Sequence, residues 1–334
     1  MLAAAAPTAV VADGRAGRLA RIETTAPSRS WIAPGRFVMG TRPDDLELLQ
    51  AECELTRSDS LARALRDDPC LAWASVLAVR SPREVWLDGY WMDRREVTVR
   101  EYRGCVHAGA CALAPLVEGD PSLLADALPQ VNVTRSEGER FCAWRGGRLP
   151  TEAEWEKAAR GTDGRTCPWG DDRRHDAWNH GMARVPVMAE LDQAMRPGED
   201  NTRLLGDPDP SDGWDGLAPP GHERGSDSPY GVSDLAGNVA EWVADALSVD
   251  GFDGLSTTNP MRGPDPRRDM AMIRGGSWRD PTFLGRVDVP HYLSMFITGE
   301  LRAGYVGFRC VYTRTMPAVT AVPMAPSPPP PPTP

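Results

Sequence analysis

Apolar and polar positions alternate along this chain in short bursts rather than long stripes. Gly35-Arg-Phe-Val-Met-Gly40 predicts a short strand and turn, and the alternation of Val85-Trp-Leu-Asp-Gly-Tyr-Trp-Met-Asp93 predicts one further strand. Between them, Leu46, Leu49, Leu61, Leu65 and Leu71 fall at loose helical spacing, so residues 44–80 read as a helical segment. Three helix starts share one device. Thr98-Val-Arg-Glu101, Thr134-Arg-Ser-Glu137 and Thr151-Glu-Ala-Glu154 each pair a cap hydroxyl with a glutamate three residues on, which satisfies two otherwise orphaned backbone donors. The second helix is predicted to run to Trp144, with Gly138, Phe141 and Trp144 on one face, and to end at Gly146-Gly147. The third is predicted to run to Arg160 and stop at Gly161. Residues 162–230 are nearly all turn formers and read as loops, whereas Ala271–Arg274 and Val306–Tyr312 read as core strands. Few helices, scattered strands and long loops make an α+β plan.

Composition sets the margins of that plan. With 32 Gly, 32 Pro and 41% apolar residues, the chain suits a loop-rich fold around one core. Residues 1–30 are Ala-rich and polar and are expected to stay unfolded. Residues 314–334 carry the run Pro328–Pro332 and read as polyproline-type spacer, leaving 31–313 as the folded domain. A net charge of −10 argues against nucleic acid, whose phosphates need clustered cations, and no apolar run is long enough to span a membrane.

Seven cysteines are more than a reduced compartment calls for. Cys105 with Cys111, Cys53 with Cys70 and Cys142 with Cys310 form one set of pairs and leave Cys167 over; seven buried thiols form the alternative. No Cys-x-x-Cys spacing suggests zinc. Paired cysteines point to the periplasm, the envelope or secretion. The apolar start at Met1 has no preceding cation and is interrupted by Pro7, so it does not read as a signal peptide, and a cytoplasmic location stays open.

Four separated motifs carry the most information: Gly146-Gly-Arg-Leu-Pro-Thr-Glu-Ala-Glu-Trp155, Leu235-Ala-Gly-Asn-Val-Ala-Glu-Trp242, Arg274-Gly-Gly-Ser-Trp278 and Gly307-Phe-Arg-Cys310. In this order they resemble the formylglycine-generating enzyme (sulfatase-modifying factor) family over about residues 31–313, with 44–80 as an insertion. The resemblance implies a C-type-lectin-like variant of the α+β plan and a Cys142–Cys310 bridge. It also implies two structural calcium sites: Asn179 and Asp212 with the carbonyls of His180 and Trp214, and Asn238 and Glu241 with the carbonyls of Gly237 and Val239. Asn238 and Glu241 have a second reading as backbone caps in a buried turn.

The family's copper-binding thiol pair would fall at Asp280 and Gly285, beside a retained Ser277. An acid and a glycine cannot hold a soft cuprous ion, so formylglycine formation is not expected. Related sulfoxide synthases use a His-x3-His-x-Glu iron cluster. None of the five histidines, His107, His175, His180, His222 and His291, has that spacing, which leaves only a cluster assembled by folding, such as His175 and His180 with Asp176. Around the family's substrate groove stand Trp278, Arg279, Phe283, Arg286, His291, Tyr292 and Phe296. Aromatic residues beside arginine suit protein or peptide recognition, and the same aromatic residues would serve equally as core. The expectation is a non-catalytic ligand-binding or scaffold domain, with a metal-dependent oxidoreductase acting on a sulfur-containing or peptide substrate as the alternative.

Overall fold

A computed structural model of the chain describes residues 28–56, 69–115, 121–172, 174–181, 211–214, 216–222, 225–263, 270–295 and 297–313. The expectations for residues 1–27 and 314–334, and for Leu61, Leu65 and Phe296, lie outside the described residues.

Three small sheets carry the strands. Strand β1 (Arg29–Ile32) pairs antiparallel with β4 (Tyr90–Asp93), which pairs on its other edge with β8 (Val311–Thr313). A two-stranded sheet joins β2 (Gly35–Met39) to β3 (Arg83–Leu87). In the third sheet β5 (Ala240–Ala246) is central, antiparallel to β6 (Ala271–Arg274) and parallel to β7 (Val306–Gly307). The single strand expected over 85–93 is therefore two, in different sheets. The break falls at Asp88-Gly89, where a side chain at Gly89 would put its Cβ 2.5 Å from the Trp31 ring. The chain can turn there only against a glycine.

The segment over 44–80 holds two helices, α1 (Leu46–Thr56) and α2 (Pro69–Ala78), joined by the Cys53–Cys70 disulfide. Cys70, Trp73 and Leu77 form the buried face of α2, at the three- and four-residue steps of a helix, and Leu71 is 55% exposed rather than part of it. These residues pack with Leu49 and Cys53 against Phe283, Leu284 and Val289.

The three capping boxes are all formed. They open α3 (Val99–His107), α4 (Arg135–Trp144) and α5 (Glu152–Arg160), and α5 stops at Gly161 with φ 70°. On α4, Gly138 and Phe141 are buried as expected, but Trp144 is 44% exposed because it lies at the helix end. Helix α5 is buried along its whole length despite five acidic or basic residues, Glu152, Glu154, Glu156, Lys157 and Arg160. Arg274 reaches Glu152 and Glu156 at 3.0 Å each, Arg160 reaches Glu156 at 2.7 Å, and the Lys157 ammonium donates to the carbonyls of Ala33 and Gly35. Burial lowers the Lys157 pKa, and the two carbonyl contacts compensate the lost hydration.

Cys142 bridges to Cys310 and Cys105 to Cys111, and Cys167 is free and buried. Residues 29 and 30, expected to stay unfolded, instead open β1, because they pair with Asp93 and Met92 of β4. Strand β5 is another element that sequence pattern does not reveal. Six of its seven residues are buried, Glu241 and Asp245 among them, so it shows no alternation of apolar and polar residues.

Candidate functional site

Beyond β6 the chain makes a tight turn through Gly275-Gly276 and presents Ser277, Trp278, Arg279 and Asp280. The backbone N–H of Trp278 donates to the Asn238 carbonyl at 2.9 Å, which ties this segment to the Leu235–Trp242 motif. Trp178 fills the space between the two segments. A Cβ at Gly237 would lie 2.4 Å from its ring, and a Cβ at Gly285 would lie 2.6 Å from it. The two glycines thus form opposite walls of a slot for the indole.

Asp280 is buried and its Oδ2 accepts from two groups, the Ser277 hydroxyl and His291 Nε2 at 3.0 Å. His291 Nδ1 accepts from the Leu293 N–H at 3.1 Å, which places the ring proton on Nε2. Burial works to raise the Asp280 pKa; His291, the charge of Arg279 and the Ser277 hydroxyl together outweigh that and hold the carboxyl below its usual range. Ser277 and His291 both point at the acid, so among the described residues no histidine is placed to take the serine's proton, and these three do not form a hydrolase triad.

The residues expected to line a groove divide into two sets. Phe283 packs 5.4 Å from Trp73, Arg286 is held by Asp45 and by Asp288 at 2.7 Å, and His291 is 1% exposed. All three belong to the interior beneath α1 and α2 rather than to a solvent-facing groove. Trp278 and Arg279 are partly exposed: the indole N–H of Trp278 donates to the Gly304 carbonyl at 3.2 Å, and the Arg279 guanidinium lies over the Tyr305 ring at 4.3 Å. The side chains of Tyr292 and His175 lie outside the described residues.

The first group implied for calcium converges. Asp212 accepts from the backbone N–H of His180 and of Trp214 at 2.9 Å each, drawing the two loops together. Asn179 donates to the Gly216 carbonyl and to Asn238, while its own Oδ1 is buried without a hydrogen-bond partner. An orphaned amide oxygen close to a carboxylate-bearing loop fits a hard cation. The second group does not fit as composed. Asn238 Oδ1 accepts from Ala218 N and Asn179, and its amide donates to Glu96 and the Ala218 carbonyl, which exhausts the side chain. Glu241 is occupied by Arg309, from Nε at 2.8 Å and Nη2 at 2.5 Å, and by the Trp155 indole at 2.9 Å.

Around that pair lie residues the sequence reading did not single out. Glu96 and Asp234 are buried beside Glu241, with Arg309 as the cation they share. Burial, then Asp234 and Glu241, push the Glu96 carboxyl well above its ordinary range, and burial takes Asp234 to about 6. The positive φ of Asp234, 56°, is one that few side chains adopt, and it is not readable from composition. Trp178 and Tyr305 were also missed, since each acts through a residue far away in the chain.

The comparisons with known proteins agree with this architecture. The chain is 33% identical over 193 residues to inactive C-alpha-formylglycine-generating enzyme 2 of Mus musculus, covering 57% of this chain and 51% of that protein. It is 32% identical over 210 residues to the formylglycine-generating enzyme of Thermomonospora curvata, covering 60% and 61%. It thus spans about half to three-fifths of the length of these relatives. Among solved structures, PvdO from Pseudomonas aeruginosa shares the fold with a TM-score of 0.56 at 20% identity, over 85% of this chain and 93% of that one. The model of the sulfatase-modifying factor enzyme 1-like domain matches residues 16–314, and the chain belongs to that family.

Proposed function

We propose that this domain is a non-catalytic binding module built on the formylglycine-generating scaffold and serving in an oxidising compartment. One observation carries the reading: the two positions where the family's thiols would stand are occupied as packed interior. Asp280 anchors Ser277 and His291, and Gly285 abuts the Trp178 ring so closely that any side chain would collide with it. Similarity to a relative named as inactive supports the same reading. The three disulfides suit a compartment outside the reducing cytoplasm. A calcium ion at Asn179 and Asp212, with the carbonyls of His180 and Trp214, would lock loops that have no sheet of their own.

The test is an assay of the purified protein with a Cys-x-Pro-x-Arg peptide, copper and dioxygen, read by mass spectrometry, together with elemental analysis of protein prepared without added metal. The expected result is an unmodified peptide and about one equivalent of calcium, the number of hard-cation sites that fit. Formylglycine in the peptide would overturn the reading. Stoichiometric copper or iron would move the balance to the oxidoreductase alternative.

A further inference from the structure

We propose that Arg279, whose guanidinium lies over the Tyr305 ring next to Trp278, is a recognition site for a side-chain carboxylate of a peptide ligand; this rests on the binding reading above and gives it a ligand chemistry. Neighbouring arginines of the same region are neutralised. Arg274 is held by Glu152 and Glu156, Arg286 by Asp45 and Asp288, and Arg309 by Glu241. Arg83 and Arg262 direct their guanidinium groups to backbone carbonyls. Arg279 has neither an ion-paired carboxylate nor a carbonyl acceptor among the described residues and is partly exposed, although its charge acts on the neighbouring Asp280 carboxyl. Asp280, next in the chain, is buried and turned toward Ser277 and His291.

The Arg279 guanidinium carbon lies 4.3 Å from the Tyr305 ring centroid, a cation–π contact that restrains the group, and no N–H of it is hydrogen-bonded among the described residues. A planar donor edge held in one orientation matches the two oxygens of a carboxylate, and little side-chain freedom remains to be lost on binding. Trp278 borders the site, its indole pinned by the Gly304 carbonyl and lying 3.9 Å from where a Cβ on Gly216 would be. Trp214, on the same loop as Gly216, is 36% exposed and meets His222 edge-on at 4.6 Å. A partly exposed arginine lying over one aromatic ring and next in the chain to another has the composition of a peptide-interface centre. The chain's net charge of −10 would by itself repel acids, so a preference for an acidic ligand cannot come from bulk charge.

The experiment uses the full chain, immobilised at physiological ionic strength, and two heptapeptide pools that differ only in a central Glu or Gln and carry no other charge. Wild-type protein is expected to retain the Glu pool about tenfold better than the Gln pool, the size of a charge-assisted hydrogen-bonded pair. Arg279→Gln should bring the two pools to parity, and Tyr305→Leu should reduce the preference. Arg279→Lys, which keeps the charge without the planar edge, should retain part of it and so separates loss of recognition from loss of fold. Equal retention of the two pools by wild type, or a preference that survives Arg279→Gln, would overturn the inference while leaving a binding module intact. Retention of neither pool would overturn the peptide-binding reading itself.

Discussion

Position 285 has room for a hydrogen atom and little else, because Trp178 stands where a Cβ would go. Restoring the family's thiol there is therefore expected to damage the fold before it restores any chemistry. Gly285→Cys should lower unfolding stability by about 1–3 kcal/mol, the usual cost of overpacking a core, measured by denaturant titration. In a Trp178→Ala background the same substitution should cost much less; an equal cost in both backgrounds would show that Trp178 is not the obstacle. The absence of cysteine at 280 and 285 was legible in the sequence, since it is a matter of residue type at positions set by flanking motifs. The slot was not, because Gly237, Gly285 and Trp178 come from three separate segments and none is unusual alone. The same holds for Arg279: its place near the groove was readable, whereas its ring platform, Tyr305, was not.

Among the elements, those defined by local chemistry were the readable ones. Each capping box is a reciprocal pair of contacts three residues apart, and all three helices begin where Thr98, Thr134 and Thr151 stand. Strand β5 and the break between β3 and β4 depend on burial and on Trp31 packing over Gly89, which are tertiary facts. The α1–α2 pair is intermediate: its helical character was visible, while its role as a cover over Phe283–Val289 emerges from the packing of Trp73, whose indole donates to the Pro290 carbonyl at 3.0 Å. A bridge between residues 17 apart ties the two helices. Replacing Cys53 and Cys70 together with alanine should destabilise the chain by about 3 kcal/mol on the loop-closure argument. Hydrogen exchange should rise first in α1 and α2 and least in α5, which is buried on every side. Uniformly faster exchange would mean that the insertion is part of the main core rather than a cover on it.

For the molecule as a whole, buried acids set the response to pH. Burial raises Asp245 to about 7, with Glu152 adding to the effect, and takes Asp93 and Asp234 to about 6. The unfolded chain gives up these protons near pH 4, so between about 4 and 7 the folded state binds more protons and stability falls as pH rises. Asp163, held down by Arg165, and Asp280, held down by His291 against its own burial, act the other way and lose their contribution as pH falls below about 4. Thermal unfolding should therefore be most resistant near about pH 4, weaken steadily toward about pH 7 and level off above it, and Asp245→Asn should flatten that slope. A midpoint that climbs from about pH 4 to 7 would contradict this ordering. One further consequence concerns when the fold can form at all. Strand β7 completes the sheet built on β5, β8 completes the sheet built on β1 and β4, and Cys310 between them closes the bridge to Cys142. Two sheets and one bridge thus wait for the stretch from Val306 to Thr313, the last described residues to leave the ribosome. Until then both sheets lack an edge strand and Cys142 lacks its partner, whereas the Cys53–Cys70 and Cys105–Cys111 bridges, whose cysteines lie 17 and 6 residues apart, can already close. Such a delay leaves the Cys142 thiol open to mispairing with other cysteines until the last of this stretch is made.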